Sequence, residues 1–435
     1  MGFLGRAPLR SSFAACAVLS AVVTATAVAV PGPAQAAVPP APLGRWLVQL
    51  KDTVADPAKV AEGHMRDRAP GGRSRLGHVY NASAGGVVLK GYALEATTDQ
   101  IRAIRADPQV ASVERDQKMS PSDTTAEPRK DGVAFKGDTG LTAQWGLRRI
   151  GAVAGSGNEV RVPAPARVGV AVLDTGVDFN HPDLRVAGNV NFTNSPDAND
   201  FVGHGTHVAG IVQALNNGIG VLGTAPDTRL WNVKVLPDTG PGSTADVIEG
   251  LEWVAQNARE RNIRVANLSL GGGGGALLHQ AVRLATESGV AVVAAAGNSN
   301  STQLEYPAGY PETISVAATN VFDQRAHFSN YGASWVDIAA PGDGIFSTRP
   351  THPTPGNAEN YGFENGTSMA APSVSGAAAL CLTSGRCRGT DSVEATLGRD
   401  SRPLAGTGTE YRYGLLQAAC YWQHTSKCAP RTTVR

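Results

Sequence analysis

The apolar residues of this chain follow two rhythms, one short and alternating, the other long and continuous. From Arg45 to about Asp116 the first dominates: Trp46, Val48 and Leu50 alternate with Leu47 and Gln49, which predicts a half-buried strand. A weak helix over 57–65 follows, then a hairpin whose arms, 86–89 and 92–94, meet across Lys90-Gly91. Thr98 is placed to cap a helix carrying Ile101 and Ile104, and Asp107-Pro108 ends it before a strand over 110–114. Strand, helix, strand, strand, helix, strand make a small independent α+β domain. The polar stretch 117–138, which contains proline, reads as a linker.

Beyond Gln144 the second rhythm takes over. Residues 168–173 are almost continuously apolar, the pattern of a strand covered on both faces. A helix over 206–215 and a strand over 230–236 come next. Ser243, with Asp246 three positions on, opens a helix through Val247, Ile248, Leu251 and Val254. A strand over 265–270, a helix over 277–287, and strands over 289–296 and 313–318 complete the series. Alternating β and α elements predict an α/β fold, a parallel sheet with helices on both faces, and its reactive groups belong at the carboxyl ends of strands.

Composition narrows the class. Of 435 residues, 42% are hydrophobic, and 38 basic side chains face 37 acidic ones, so the chain has material for a large core and a net charge of +1, too small to attract nucleic acid or an anionic membrane. Residues 1–36 have the layout of an export signal: Arg6 and Arg10, an apolar run, then Ala34-Gln35-Ala36 for cleavage. That run is alanine-rich and ends in Pro31-Gly32-Pro33, which favours a removed leader over a stable membrane anchor. The expected divisions are a signal peptide over 1–36, the small domain over 37–118, a linker over 119–143 and the main domain over 144–435. With Cys16 in the leader, Cys381, Cys387, Cys420 and Cys428 remain. Four cysteines allow three pairings; the short loops, Cys381 with Cys387 and Cys420 with Cys428, are preferred because little chain closes them, and an oxidising compartment favours disulfides over metal.

Candidate chemistry lies in four stretches. Gly366-Thr367-Ser368-Met369-Ala370-Ala371-Pro372 presents a serine at the start of a small-residue helix, and a serine nucleophile needs a base and an orienter behind it. Gly203-His204-Gly205-Thr206-His207-Val208-Ala209-Gly210 offers an imidazole, and Asp174-Thr175-Gly176 puts a carboxylate at a strand end. Read as a zinc pair, His204 and His207 lack the glutamate and third ligand such a motif requires. Read as an aspartic protease, Asp-Thr-Gly lacks its second copy. Ala294-Ala295-Ala296-Gly297-Asn298 ends a fourth strand in a side-chain amide.

The order Asp, His, Ser and these local sequences resemble the subtilisin family of serine proteases. Gly223-Thr224-Ala225-Pro226, Phe328-Ser329-Asn330-Tyr331-Gly332 and Ala340-Pro341-Gly342 add to the resemblance, which runs from about Arg45 to Ala419. It implies a peptide-bond hydrolase with Ser368 as nucleophile, His204 as base, Asp174 as orienter and Asn298 as oxyanion donor, His207 being structural. Ser269, Leu270 and Gly271 would pair with extended substrate, and Glu305 would line the primary specificity pocket, with a tilt toward basic side chains. Residues 37–118 resemble the family's inhibitory propeptide, so the expected partners are peptide substrates and the chain's own propeptide. We expect a secreted monomer that requires no cofactor; the family's structural calcium is allowed, with no ligand legible. After Pro372 the family helix usually carries His-Val-Ala, whereas here Ser373-Val374-Ser375 stands. The same acyl-enzyme would serve a peptide ligase or macrocyclase, and a scaffold of this fold without activity would require a lost catalytic residue.

Overall fold

The computed structural model describes residues 42–67, 74–122, 143–154, 163–354 and 359–423. The leader over 1–36, most of the linker and Cys428 lie outside the described residues.

Four strands and two helices form the N-terminal part: β1 (Gly44–Leu50), α1 (Pro57–Asp67), β2 (Arg75–Ala84), β3 (Val87–Ala96), α2 (Thr98–Arg105) and β4 (Val110–Arg115). The sheet is antiparallel in the order β2-β3-β1-β4. Its side chains divide by strand alternation: Trp46, Val48, Tyr92 and Leu94 pack with Ala61, Ile101 and Ile104 of its own helices, while Leu47, Tyr80, Leu89 and Ala93 face the other way. The predicted order of elements holds, but the hairpin turns at Gly85–Gly86 instead of Lys90-Gly91, and Gly91 lies inside β3. A Cβ at Gly91 would stand 2.4 Å from Val48 O, so that glycine serves close strand packing and not a turn. The cap of α2 is Thr97, whose hydroxyl accepts from Gln100 N in a capping box, one residue earlier than expected.

A further strand, β5 (Lys118–Pro121), belongs to the stretch read as linker. The main sequence of elements then runs α3 (Trp145–Arg149), β6 (Gly169–Asp174), β7 (Val186–Asn191), α4 (His204–Gln213), β8 (Arg229–Lys234), β9 (Gly242–Ser243), α5 (Thr244–Asn257), β10 (Ile263–Leu268), β11 (Leu270–Gly272), α6 (Ala276–Glu287), β12 (Ala291–Ala295), β13 (Thr313–Thr319), β14 (Ile338–Pro341), β15 (Ile345–Thr348), β16 (Tyr361–Glu364), α7 (Thr367–Ser384) and α8 (Val393–Asp400). Seven strands make one sheet in the order β14-β13-β12-β10-β6-β8-β7, with every neighbouring pair parallel.

Alternation along the buried strands feeds two cores. Val170, Val172, Val265, Val293 and Val316 face α4 and α7, whereas Ala171, Leu173, Ala266, Leu268 and Val292 face α5 and α6. The same second core takes in Leu47, Tyr80, Leu89 and Ala93, so the N-terminal sheet lays its free face on α5 and α6. α7 is buried from Thr367 through Cys381, which explains its run of Ala, Ser and Gly: the helix lies against the sheet where larger side chains would not fit. Cys381 and Cys387 are disulfide-bonded across its last turn, with Cα atoms 5.2 Å apart. Cys420 is also disulfide-bonded.

Candidate active site

Asp174 is the last residue of β6, between two parallel strands, and is fully buried. Its Oδ1 accepts from Thr175 N at 2.7 Å and lies 2.7 Å from His204 Nδ1. His204 is the first residue of α4, and the helix can come this close because its second residue is Gly205. A Cβ there would sit 2.0 Å from Gly176 O and 3.1 Å from the Asp174 Cβ.

Asp200, which the sequence motifs do not single out, anchors this junction. Its carboxylate accepts from Val202 N (3.1 Å), Gly203 N (2.8 Å), Thr206 N (2.8 Å), Thr206 Oγ1 (2.6 Å) and Thr175 Oγ1 (2.9 Å), while Gly205 N donates to Thr175 Oγ1 (2.9 Å). One buried carboxylate thus holds the backbone leading into α4 and Thr206 N in its first turn, and ties both to the turn after Asp174. An Asp three residues before a Gly-His helix start was the available signal. Lys234, fully buried, completes the frame: its Nζ donates to Thr175 O, to Asn199 O at 3.2 Å and to Asp238 Oδ1 at 2.8 Å.

His207 does not join the site. Its Nε2 donates to Gly362 O at 3.1 Å, and burial, with the Arg349 charge nearby, pushes its pKa down to about 3, so it is neutral. The two imidazoles have separate partners, and among the described residues no group of three or more His, Cys, Asp or Glu side chains is placed to hold a metal.

Ser368 is the second residue of α7. Its Oγ donates to Ser269 O (2.9 Å), and its own carbonyl accepts from Ser269 Oγ (2.8 Å). That carbonyl is available because the residue four positions on is Pro372, which has no N–H to complete the helical bond. Asn267 Nδ2 in turn donates to Ser269 Oγ (2.9 Å), and Ser375 Oγ donates to Asn267 Oδ1 (2.9 Å). The unusual Ser375 therefore extends a buried hydrogen-bond chain beneath Ser368. Ser373 borders a cavity of about 20 Å³ with Gln144, Trp145 and Ile211.

Asn298 faces Ser368 from the turn after β12. Its Oδ1 accepts from Thr367 N (2.9 Å) and Thr367 Oγ1 (3.0 Å), which aims its Nδ2 outward. That Nδ2 donates to Ser122 O, and Ser368 N donates to the same oxygen at 3.1 Å. Two donors converging on one carbonyl oxygen form a site for negative charge on that oxygen.

Ser122 arrives there on β5, which is laid antiparallel between β11 and β9. Pro121, Ser120 and Met119 pair with Leu270, Gly271 and Gly272; Lys118 and Met119 pair with Ser243 and Gly242; and Ser122 N donates to Ser269 O at 3.1 Å. Ser269, Leu270 and Gly271 thus line an edge that holds an extended chain by its backbone. Met119 is fully buried in the second core, and the Ser122 side chain is buried with no partner for its hydroxyl.

Glu305 stands where β11 and the turn after β12 come together. Cβ atoms built on Gly271 and Gly297 would meet its carboxylate oxygens at 2.2 and 1.9 Å, so the carboxylate is wedged between the two backbones. Burial raises its pKa, opposed by Asn330 Nδ2, which donates to Glu305 Oε2 at 3.3 Å.

Two stretches of the chain match known protein families. Residues 166–415 match the subtilase family, and residues 45–122 match the peptidase inhibitor I9 family, whose match ends at Ser122. The chain is 42% identical over 289 residues to an alkaline protease of Alkalihalobacillus alcalophilus, covering 66% of this chain and 67% of the relative. Alkaline elastase YaB of a Bacillus species is also 42% identical, over 66% of this chain and 68% of its own length. Subtilisin Savinase of Lederbergia lenta is 47% identical over 238 residues, 54% of this chain and 82% of its own. The chain belongs to the subtilase family, as a subtilisin-type serine protease carrying an I9 inhibitor domain as the propeptide of a zymogen.

Proposed function

We propose that Ser368, His204, Asp174 and Asn298 carry the hydrolysis, and that the first bond cut is the chain's own Ser122–Asp123. Ser122 O supports this most directly, since Ser368 N and Asn298 Nδ2 hold it as they would hold a scissile carbonyl. Ser368 Oγ turns from Ser269 O, gives its proton to His204 Nε2 and bonds to the carbonyl carbon. The oxygen becomes anionic between its two donors. His204 then protonates the departing amine, and water repeats the sequence to free the acyl group. Asp174 holds the His204 Nδ1 proton and balances the imidazolium charge. After cutting, residues 118–122 remain as a product in the cleft, and the domain that carries them inhibits.

The occupied cleft also describes substrate. Met119 fills a buried apolar site three residues before Ser122, and Glu305 supplies a carboxylate to the pocket of the residue whose carbonyl is attacked. A basic side chain there would ion-pair with Glu305 and displace its raised protonation. Digestion of an unstructured protein with mass readout tests both statements. Every product gains one water, and cuts after Lys or Arg relative to Leu fall about tenfold in Glu305→Gln, the size expected for one partly buried charge pair. An unchanged ratio removes Glu305 from specificity, and products joined to added amines point to a ligase.

Export is supported by the leader-like residues 1–36 and by the Cys381–Cys387 disulfide. No helix among the described residues is long and apolar enough to cross a membrane.

A structural calcium fits at Asp183. This carboxylate is fully buried; its Oδ2 accepts from Val221 N at 2.9 Å, and its Oδ1 has no hydrogen-bond partner. Burial pushes its pKa up to about 7, against opposing bonds that include Asn217. Asp183 would supply a hard oxygen ligand of the kind such an ion takes. A raised folded-state pKa stabilises below the unfolded value and is lost as pH rises through the folded one. In chelator, the melting temperature should therefore fall between about pH 4 and pH 7, and added calcium should restore it. Asp183→Asn should abolish both responses; a calcium response surviving in that variant would place the ion elsewhere.

A further inference from the structure

The face that the N-terminal sheet lays on α5 is mostly apolar, yet it carries one cluster of charge. His78 lies in β2 where the register with β3 shifts between Leu76 and Val79, and the bulge aims its ring at α5. There its Nδ1 is 3.0 Å from Glu249 Oε1 and its Nε2 is 2.9 Å from Glu252 Oε2, one carboxylate on each nitrogen. An imidazole can donate through both nitrogens only when protonated. Glu252 is spoken for on its other oxygen, which accepts from Asn81 N at 2.9 Å, so α5 and β2 are joined at two consecutive points.

The surroundings are acidic. Asp246, from the first turn of α5, and Asp116, just past β4, flank the pair. Arg45 of β1 meets Asp116 at 3.0 Å and Asp246 at 3.9 Å. Tyr80, also on β2, donates to Ala245 O at 3.2 Å and sits 5.0 Å from the His78 ring. α6 brings Glu287 against Gly85, at the far end of the strand. His64 of α1 is on the sheet's opposite face, with Tyr92 and Asp107. Among the described residues, the charged groups gathered around His78 are thus Arg45 against Asp116, Asp246, Glu249 and Glu252.

We propose that His78 is a charge latch for the propeptide: protonated between Glu249 and Glu252 it holds the cut domain on the enzyme at neutral pH, and its loss of a proton loosens that domain under alkaline conditions. This rests on the reading of residues 45–122 as the product-like inhibitor of the same active site. Burial alone would lower the ring's pKa, but the hydrogen bonds and charges of Glu249 and Glu252 outweigh it and raise the pKa from 6.5 to about 9. The sign follows: a group whose pKa is raised by docking strengthens docking below its free value and ceases to do so as pH climbs through the docked one. The window is therefore roughly pH 6.5 to 9. Asp246, raised by burial to about 6, acts in the same direction but is finished below that window.

The test uses the full chain, allowed to process itself and kept at pH 6.5, then diluted into buffers from pH 6.5 to 10. The onset of peptide hydrolysis is followed, scaled at each pH to a fully activated sample. Full linkage over this span would reach about 10²-fold, and solvent screening of a ring one-third exposed brings the expected acceleration at pH 9.5 to about tenfold. His78→Gln should release at one rate across that range, and His78→Arg, a permanent cation, should stay latent at pH 9.5. Equal pH dependence in wild type and His78→Gln overturns the latch, as does faster release of the wild type at pH 6.5. Failure of all three proteins to hydrolyse anything, even after full activation, would instead remove the protease reading and the latch with it.

Discussion

Ser368→Ala should reduce hydrolysis of an unstructured protein by about 10⁶-fold, a magnitude borrowed from another member of this family. The structure explains why the loss should be chemical and not conformational. Ser368 is fully buried at the start of a helix built from alanine and other small residues, so alanine fits without rearrangement. The hydroxyl makes one bond, to Ser269 O, whereas the bonds that hold the backbone, Ser269 Oγ to Ser368 O and Ser368 N to Ser122 O, survive the change. The chain's own residues 118–122 should still seat in the cleft. A melting temperature within a few degrees of wild type would show that the nucleophile alone had been removed.

Asp174→Asn should lower kcat by about 10⁴-fold and leave KM nearly unchanged, the size seen for this exchange in a serine protease of unrelated fold. Asp174 Oδ1 accepts from Thr175 N and faces His204 Nδ1, so the carboxylate both keeps the turn closed and fixes which ring nitrogen carries the proton. Because that single oxygen meets both groups, an amide that turns its NH₂ toward the ring also gives up the bond from Thr175 N. It cannot balance an imidazolium, and its NH₂ group, turned toward the ring, favours the tautomer with the proton on Nε2, where it blocks acceptance from Ser368. The measurement is the pair kcat and KM on one peptide; a loss confined to KM would mean that Asp174 shapes the cleft and not the base.

What the chain reveals before folding is set by how local each signal is. Asp174, His204, Ser368 and Asn298 are each named by a strand end or helix start, and a parallel sheet brings such ends to one edge, so the fold sets Asp174 and His204 2.7 Å apart. The buried strands read well for the same reason, since β6, β12 and β13 are buried along their whole length and mostly apolar. β5 could not be read. Lys-Met-Ser-Pro has neither alternation nor strand propensity, and it is a strand only because β9 and β11, more than a hundred residues away in sequence, pair with it on both sides. Gly91 misled because a glycine between apolar runs signals a turn, whereas here the backbone of Val48 leaves no room for a side chain. Lys234 was hidden because the carbonyls it binds come from separate segments, and the tie from Asp200 to Thr175 exists only in the folded chain.

The most direct measurement is the intact mass of purified protein, wild type beside Ser368→Ala. If Ser122 O lies in the site because its own enzyme cuts the bond that follows, the wild type resolves into two fragments, one ending at Ser122, while the variant keeps residues on both sides joined. A variant cut after Ser122 as completely as the wild type would contradict the account, because the bond would then be opened by something other than Ser368.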